Sequence, residues 1–175
     1  MLIDGQPRQA CSGLVDGFEK LTRIEPLTKF PLVRALVVVR SQMFEDLKRT
    51  KCWIPIDGTY PLGEGPKMAS GLGETGYPLS RCITCGNCLE ICPKWNEHSQ
   101  FVGAAIVSQV QLLNLHPTGA MHARERLDVR MDPGGIADCD NAKVCPKEIP
   151  LTESLAAIKG QVFLHAIKSW FGGCG

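Results

Sequence analysis

The fold is decided by the stretch Cys82-Ile-Thr-Cys85-Gly-Asn-Cys88-Leu-Glu-Ile-Cys92-Pro93, which has the spacing C-x2-C-x2-C-x3-C-P. Three thiolates separated by two residues can bind three irons of one cubane cluster, and a fourth that precedes proline ordinarily binds a second cluster. This cysteine motif therefore predicts iron–sulfur cofactors. A structural zinc site is the alternative, although such sites ordinarily use two C-x2-C pairs that lie well apart.

A second Cys-Pro pair, Cys145-Pro146, follows further along the chain, and Cys139 lies shortly before it. In proteins with two clusters, the last cysteine of each motif binds the other cluster. Cys145 is therefore predicted to complete the cubane that the first three cysteines of the motif begin, and Cys92 to join Cys139 at a second cluster. The alternative for Cys139 and Cys145 is a role as small, buried apolar residues.

Composition excludes several other classes of protein. The formal charge is +1 and aromatic residues make up 6%, so nothing indicates nucleic-acid binding. The longest apolar stretches, Leu36–Val39 and Phe101–Val107, are far shorter than the roughly 20 residues of a spanning helix. The nine cysteines are clustered and no secretory signal pattern is present, which favours a metal cofactor over a disulfide framework.

Residues 1–40 are predicted to be rich in β-structure. Leu2-Ile3 followed by Asp4-Gly5 predicts a hairpin, because Asp-Gly provides the positive φ of a type I′ turn. Arg23–Leu27 and Leu32–Val39 are predicted as further strands. Residues 41–50 are predicted as a helix with Ser41 as its N-cap, and the Gly- and Pro-rich residues 53–79 as a long ordered connector.

The second half of the chain is predicted to be helical. Helices are expected over Phe101–Leu115 and Ala123–Met131, and apolar residues at helical spacing between Leu151 and Trp170 predict an amphipathic C-terminal helix that faces a core or a partner. Gly71–Gly76 matches G-x-G-x-x-G, but no apolar strand precedes it and no helix start follows, so no dinucleotide role is assigned. No nucleophile–base pair stands out.

These residues resemble the iron–sulfur subunits of succinate dehydrogenase and fumarate reductase along the whole chain. Asp4–Cys11 is similar to the end of that family's plant-type ferredoxin domain, and the cysteine motif with Cys145-Pro146 to its bacterial-ferredoxin-like domain. Trp53–Tyr60 and His116–Met121 resemble the bacterial branch that has a dihaem cytochrome b anchor.

The resemblance implies an α+β fold in three parts. Residues 1–40 would be the remnant of a partial β-grasp domain, 41–78 a connector, and 79–175 a mainly α-helical ferredoxin domain. It also implies the cluster ligands, which are Cys82, Cys85, Cys88 and Cys145 for a 4Fe–4S cluster, Cys92 and Cys139 for a 3Fe–4S cluster, and Cys11 for a 2Fe–2S cluster. Pro93 and Trp95 lie where the family has quinone-site residues.

The implied function is electron transfer from an FAD-containing flavoprotein to a membrane quinone, often menaquinone in that branch. The chain would be a peripheral subunit on the cytoplasmic side of the inner membrane, held there by partner subunits, with no substrate chemistry of its own. Succinate oxidation and fumarate reduction both remain open. The alternatives are a zinc-binding scaffold and an iron–sulfur subunit of the glycolate oxidase or heterodisulfide reductase type.

Two departures from the family pattern produce further expectations. Of the four cysteines of the first domain only Cys11 is matched, so the chain is expected to be N-terminally truncated and to hold no 2Fe–2S cluster. The family's last motif is C-x5-C-x3-C-P, whereas here Cys139 and Cys145 leave its middle ligand missing. The 3Fe–4S cluster is therefore expected to be absent or substoichiometric. Substitute ligands without a spacing argument are Asp138, Asp140 and Cys174.

Overall fold

The N-terminal residues form two small antiparallel sheets. The structure is a computed structural model that describes residues 1–18, 21–54, 66–96, 98–128 and 144–172. In the first sheet β1 (Leu2–Ile3) lies between β2 (Gln6–Pro7) and β3 (Ile24–Glu25). Asp4 and Gly5, with φ of 50° and 75°, make the predicted tight turn between β1 and β2. These strands lie within residues 1–40, where the sequence predicted β-structure.

The second sheet corrects a prediction. Residues 32–39 do not form one strand but a hairpin of β4 (Leu32–Arg34) and β5 (Val37–Val38). The chain reverses at Ala35, whose φ is 46°. Alanine rarely adopts positive φ and the reversal contains no glycine or asparagine, so the sequence carries no turn signal there.

Two further predictions are wrong in detail. Helix α1 spans Ser41–Arg49, so that Arg40 and not Ser41 is at the N-cap, and no side chain caps this end. Helix α2 (Ser70–Ser80) lies in the predicted connector. The glycines of this segment disfavour a helix, so the sequence did not predict it. Gly76 packs closely on the neighbouring helix, since a Cβ there would lie 3.6 Å from Leu112 Cδ1.

The remaining helices surround one central helix. They are α3 (Asn87–Glu90), α4 (Ala104–Leu115), α5 (Pro117–Ala120), α6 (Ala123–Asp128) and α7 (Leu151–Gly172). Helix α4 packs against α2, α5 and α7. Other elements cover most sides of α4, and apolar residues occur on most of its faces. Its sequence therefore has no clear amphipathic period. Helices α4, α6 and α7 lie where helices were predicted.

A fully buried arginine fixes the end of α1 to the helices. Arg126 donates hydrogen bonds to the carbonyl oxygens of Lys51 (3.0 Å), Trp53 (2.9 Å) and Gly119 (2.6 Å), and to Asn114 Oδ1 (3.2 Å). Burial lowers its pKa from the ordinary value. Five guanidinium donors can satisfy several buried carbonyl groups at once, so this residue joins the segment after α1 to α5.

Candidate iron–sulfur centre

The cysteine motif begins where α2 ends and reverses direction twice. Thr84 and Gly86 have φ of 52° and 84°, and Arg40 donates a 2.8 Å hydrogen bond to the Thr84 carbonyl oxygen. A Cβ on Gly86 would lie 3.1 Å from Phe30 Cζ, so glycine serves both the positive φ and the close packing there. These conformations turn the first three cysteines of the motif toward a common space.

The structure brings the four predicted 4Fe–4S ligands together around one cavity. Its lining comprises Cys82, Ile83, Thr84, Cys85, Gly86, Cys88, Ala105, Cys145, Pro146, Lys147, Ile149 and Leu151. Cys145 comes from the segment before α7, and the other three thiols come from the motif. We call this space the cysteine cavity. Most of its other walls are apolar side chains.

Two of the four thiols, those of Cys88 and Cys82, have raised pKa values. Burial raises the pKa of Cys88 strongly, and the charges of Cys85, Cys82 and Cys145 raise it further. Burial also raises the pKa of Cys82, again with contributions from Cys85 and Cys145, whereas a backbone hydrogen bond at Thr84 opposes the rise. Such thiols hold their protons at neutral pH until iron binds, because a bound cation reverses this preference.

The cysteine cavity fits a polynuclear cluster by the chemistry of its donors. Four thiolates are the ligand set of a 4Fe–4S cluster, and the cavity has four cysteines. Among the residues that the structure describes, no three His, Cys, Asp or Glu side chains are grouped to hold one metal ion. None of the seven described cysteines is in a disulfide, so the thiols are available as ligands.

Glu90, inside the motif, attaches α3 to the N-terminal segment. Its carboxylate is buried and accepts hydrogen bonds from Thr28 N (2.9 Å), Thr28 Oγ1 (2.5 Å) and Lys29 N (3.2 Å). Lys29 Nζ in turn donates to the carbonyl oxygens of Cys92 and, at 3.2 Å, Trp95. Sequence reasoning missed both residues. The one sequence signal for Glu90 was its position between the apolar residues Leu89 and Ile91, where a carboxylate needs hydrogen-bond partners.

Cys92 and Trp95 lie in the core and do not line the cysteine cavity. Both are essentially inaccessible to solvent, whereas Pro93 between them is exposed. The Trp95 ring packs on Phe30 with centroids 5.0 Å apart, and its Nε1 donates to Asp46 Oδ2 at 3.5 Å. Asp46 is another buried residue that sequence reasoning missed, and burial raises its pKa although Arg49, Trp95 and Gln42 oppose the rise.

Of the other predicted ligands, Cys11 can be placed in the described part of the chain, away from the cysteine cavity. Cys11 lies in a short 3-10 turn, Ala10–Ser12, and is exposed, with its Sγ 3.9 Å from Gln9 Oε1. Cys52, which is partly buried and lies outside the cysteine cavity, has its Sγ 3.2 Å from Thr50 Oγ1. Cys139 lies outside the described residues, and so do the three candidates for the missing ligand, Asp138, Asp140 and Cys174.

The fold and the cysteine cavity define an iron–sulfur protein, and comparison with known proteins identifies its family. The profile of the "2Fe-2S iron-sulfur cluster binding domain" family matches residues 1–45. The succinate dehydrogenase iron-sulfur subunit of Bacillus subtilis is 52% identical over 176 residues, which cover 98% of this chain and 70% of that protein. The fumarate reductase iron-sulfur subunit of Mycobacterium tuberculosis is 29% identical, with 99% and 74% covered.

A solved structure has a similar fold. A chain of the Mycobacterium smegmatis Sdh1 complex in the apo form superposes with a TM-score of 0.66 at 24% identity, covering 91% of this chain and 70% of that one. The chain therefore belongs to the family of iron–sulfur subunits of succinate dehydrogenase and fumarate reductase. This confirms the family predicted from the sequence, ahead of the zinc-scaffold and glycolate oxidase alternatives.

Proposed function

We propose that this chain is the electron-transfer subunit of a succinate:quinone oxidoreductase and that it binds a 4Fe–4S cluster through Cys82, Cys85, Cys88 and Cys145. The observation that carries the proposal is the cysteine cavity, where the motif and a distant Cys-Pro segment meet. When bound, the cluster supplies one-electron oxidation and reduction. The chain itself supplies the four thiolates, the apolar wall that excludes water and the loop that fixes their spacing.

Packing and hydrogen bonds hold both the apolar wall of the cysteine cavity and the loop that carries the motif. Ile149 and Leu151, which line the cavity beside Cys145, are almost fully buried at the start of α7. Thr84 is held by Arg40, and Glu90 is held by the backbone of Thr28 and Lys29. A cluster surrounded in this way keeps its position and surroundings as it changes charge, which is how a protein sets a reduction potential.

The proposal also covers the 3Fe–4S and 2Fe–2S clusters and the contact with quinone. Cys92 and Cys139 are the two thiols that the sequence offers to a 3Fe–4S cluster, which needs a third ligand. Cys11 is the one cysteine within the matched residues 1–45 and is the candidate 2Fe–2S ligand. Exposed Pro93, next to buried Cys92, is the stronger candidate for contact with a quinone. Trp95 would support the quinone site without contacting the quinone directly, since its ring is buried.

We propose the division of the chain that the resemblance to the family implies. Residues 1–40 form the part of a β-grasp ferredoxin domain, 41–78 the connector, and 79–175 the α-helical ferredoxin domain, with the correction that α2 already begins at Ser70. Partners are the FAD flavoprotein and the membrane anchor that passes electrons to quinone. No helix among the described residues is long and apolar enough to cross a membrane. Peripheral attachment on the cytoplasmic side, through these partners, follows as part of the proposal.

The proposal is tested by anaerobic reconstitution of the chain with iron and sulfide. We expect about four irons per chain to resist desalting, and the reduced protein to give the EPR signal of a 4Fe–4S cluster. Cys85→Ser should lose both. Cys52→Ser is the matched control, because Cys52 is partly buried but lies outside the cysteine cavity, and it should keep both. Equal iron content and signal in Cys85→Ser and the unaltered chain would refute the assignment.

A further inference from the structure

Asn87, between Gly86 and Cys88, has a buried side-chain N–H donor that no acceptor in the described part of the chain satisfies. Asn87 begins α3, is only 2% exposed, and its side-chain Nδ2 is buried without a hydrogen-bond partner in the structure. A buried N–H donor without an acceptor costs about 1–3 kcal/mol, so such a group calls for a physical reason. Gln111 Oε1 is the other buried side-chain atom without a partner among the described residues, and it is an acceptor.

The surroundings of Asn87 point to an acceptor. Asn87 lines an open cleft of about 410 Å³ together with Gln6, Pro7, Arg8, Gln9, Ser12, Ile91, Val144, Cys145 and Pro146. Cys145 is therefore shared by this cleft and the cysteine cavity. Its sulfur becomes an anionic acceptor when it binds iron, whereas Ser12 Oγ already donates to the Gln9 carbonyl oxygen at 3.0 Å.

We propose that the side-chain amide of Asn87 donates a hydrogen bond to the sulfur of Cys145 when the cluster is bound, and thereby raises the reduction potential of that cluster. The inference rests on the proposed function, since it requires the 4Fe–4S cluster. Reduction adds one negative charge to the cluster and its thiolates. A donor at a ligand sulfur stabilises the reduced form more than the oxidised form. Asn87 is thus a positioning and tuning residue and not a ligand.

The test is a potentiometric EPR titration of the reconstituted chain and of Asn87→Leu, which keeps the number and branching of the side-chain heavy atoms and removes the donor. We expect about a tenfold smaller reduced-to-oxidised ratio at a given solution potential, equivalent to about 59 mV for one electron. Iron content should not change. Gln111→Leu is the matched control, because it removes a buried polar side chain whose unpartnered atom can only accept, and its potential should equal that of the unaltered chain.

A second measurement does not depend on how well the variant folds. In the unaltered chain with ¹⁵N in its asparagine side chains, pulsed EPR of the reduced cluster should show a ¹⁵N coupling that is absent from the same chain with natural-abundance nitrogen. An unchanged potential in a loaded Asn87→Leu protein, or no such coupling in the labelled chain, overturns the inference and leaves the cluster assignment intact. Failure of the unaltered chain to give the 4Fe–4S signal refutes the proposed function instead.

Discussion

Two parts of the chain, the helices beside the cysteine cavity and the hairpin of β4 and β5, bury their apolar residues to very different extents. Beside the cavity, the residues of α4 from Ala104 to Val107 and Leu151 at the start of α7 are almost inaccessible to solvent. In the hairpin, Leu32 and Val33 are each 59% exposed and Val37 is 53% exposed. The helical region beside the cavity is therefore closed to solvent, whereas the β-region leaves an apolar surface open to it.

This difference teaches where the candidate function resides. The four thiols of the cysteine cavity are positioned by residues of a closed core, so their spacing is set before any partner binds. Cys11, in contrast, is exposed in a short turn between small strands. We expect the chain alone to assemble the proposed 4Fe–4S cluster, because its four candidate ligands line one cavity within this chain.

The largest effect is expected from a glycine in the closed region. Gly103 has φ of 88°, and a Cβ there would lie 2.2 Å from Leu89 Cδ2 and 3.3 Å from Trp95 Cδ1. Gly103→Ala should lower the free energy of unfolding by about 3 kcal/mol or more, since backbone strain and core overpacking add. Chemical denaturation of the purified chain measures this.

The matched control is a glycine with the same backbone freedom in the open region. Gly5 has φ of 75° but nothing within 4 Å of a built Cβ. Gly5→Ala should cost about 1 kcal/mol through strain alone. Equal losses in the two variants would show that the packing difference between the regions has no energetic consequence.

A smaller effect is expected where the two regions join. Glu90→Gln replaces a carboxylate that accepts three hydrogen bonds with an amide that places its NH2 donor against the N–H group of either Thr28 or Lys29. The cost should be about 1–3 kcal/mol. Limited proteolysis should cut residues 1–40 faster while iron binding persists. The exposed Glu45→Gln is the control, and identical digestion of both variants would contradict the role of Glu90.

The smallest effect is a change in pH dependence at Asp46, which joins α1 to Trp95. Burial raises its pKa above the ordinary 3.8, so the folded state binds a proton more tightly than the unfolded state. Its contribution to stability therefore falls as pH rises from 3.8 through the raised pKa. Asp46→Asn should remove this fall in thermal unfolding scans across that window. A variant with the same slope as the unaltered chain would show that Asp46 does not titrate there.

Local spacing decided much of what the sequence could predict. The motif gave the three cavity thiols, and the second Cys-Pro pair gave Cys145, because cluster chemistry restricts both patterns to few arrangements. Asp4-Gly5 predicted the first turn for a similar reason. The structure places these features as expected, and family comparison confirms the class of protein.

The misses have tertiary causes. Helix α2 contains three glycines and a proline, which local propensity disfavours, and it exists because Gly76 and Leu79 pack into the core. The buried Asp46, Glu90 and Arg126 each bond a residue far along the chain, which spacing does not reveal. Buried polar residues are found by their hydrogen bonds and not by a motif.

The central claim is that Cys145, and not the fourth cysteine of the motif, completes the 4Fe–4S site. The most direct test is reduced-state EPR with iron analysis of two reconstituted variants, Cys145→Ser and Cys92→Ser, each checked for folding by circular dichroism. The account predicts that Cys145→Ser loses the 4Fe–4S signal and that Cys92→Ser keeps it, because Cys145 lines the cysteine cavity and Cys92 does not. Retention of the signal in Cys145→Ser with its loss in Cys92→Ser would contradict the account.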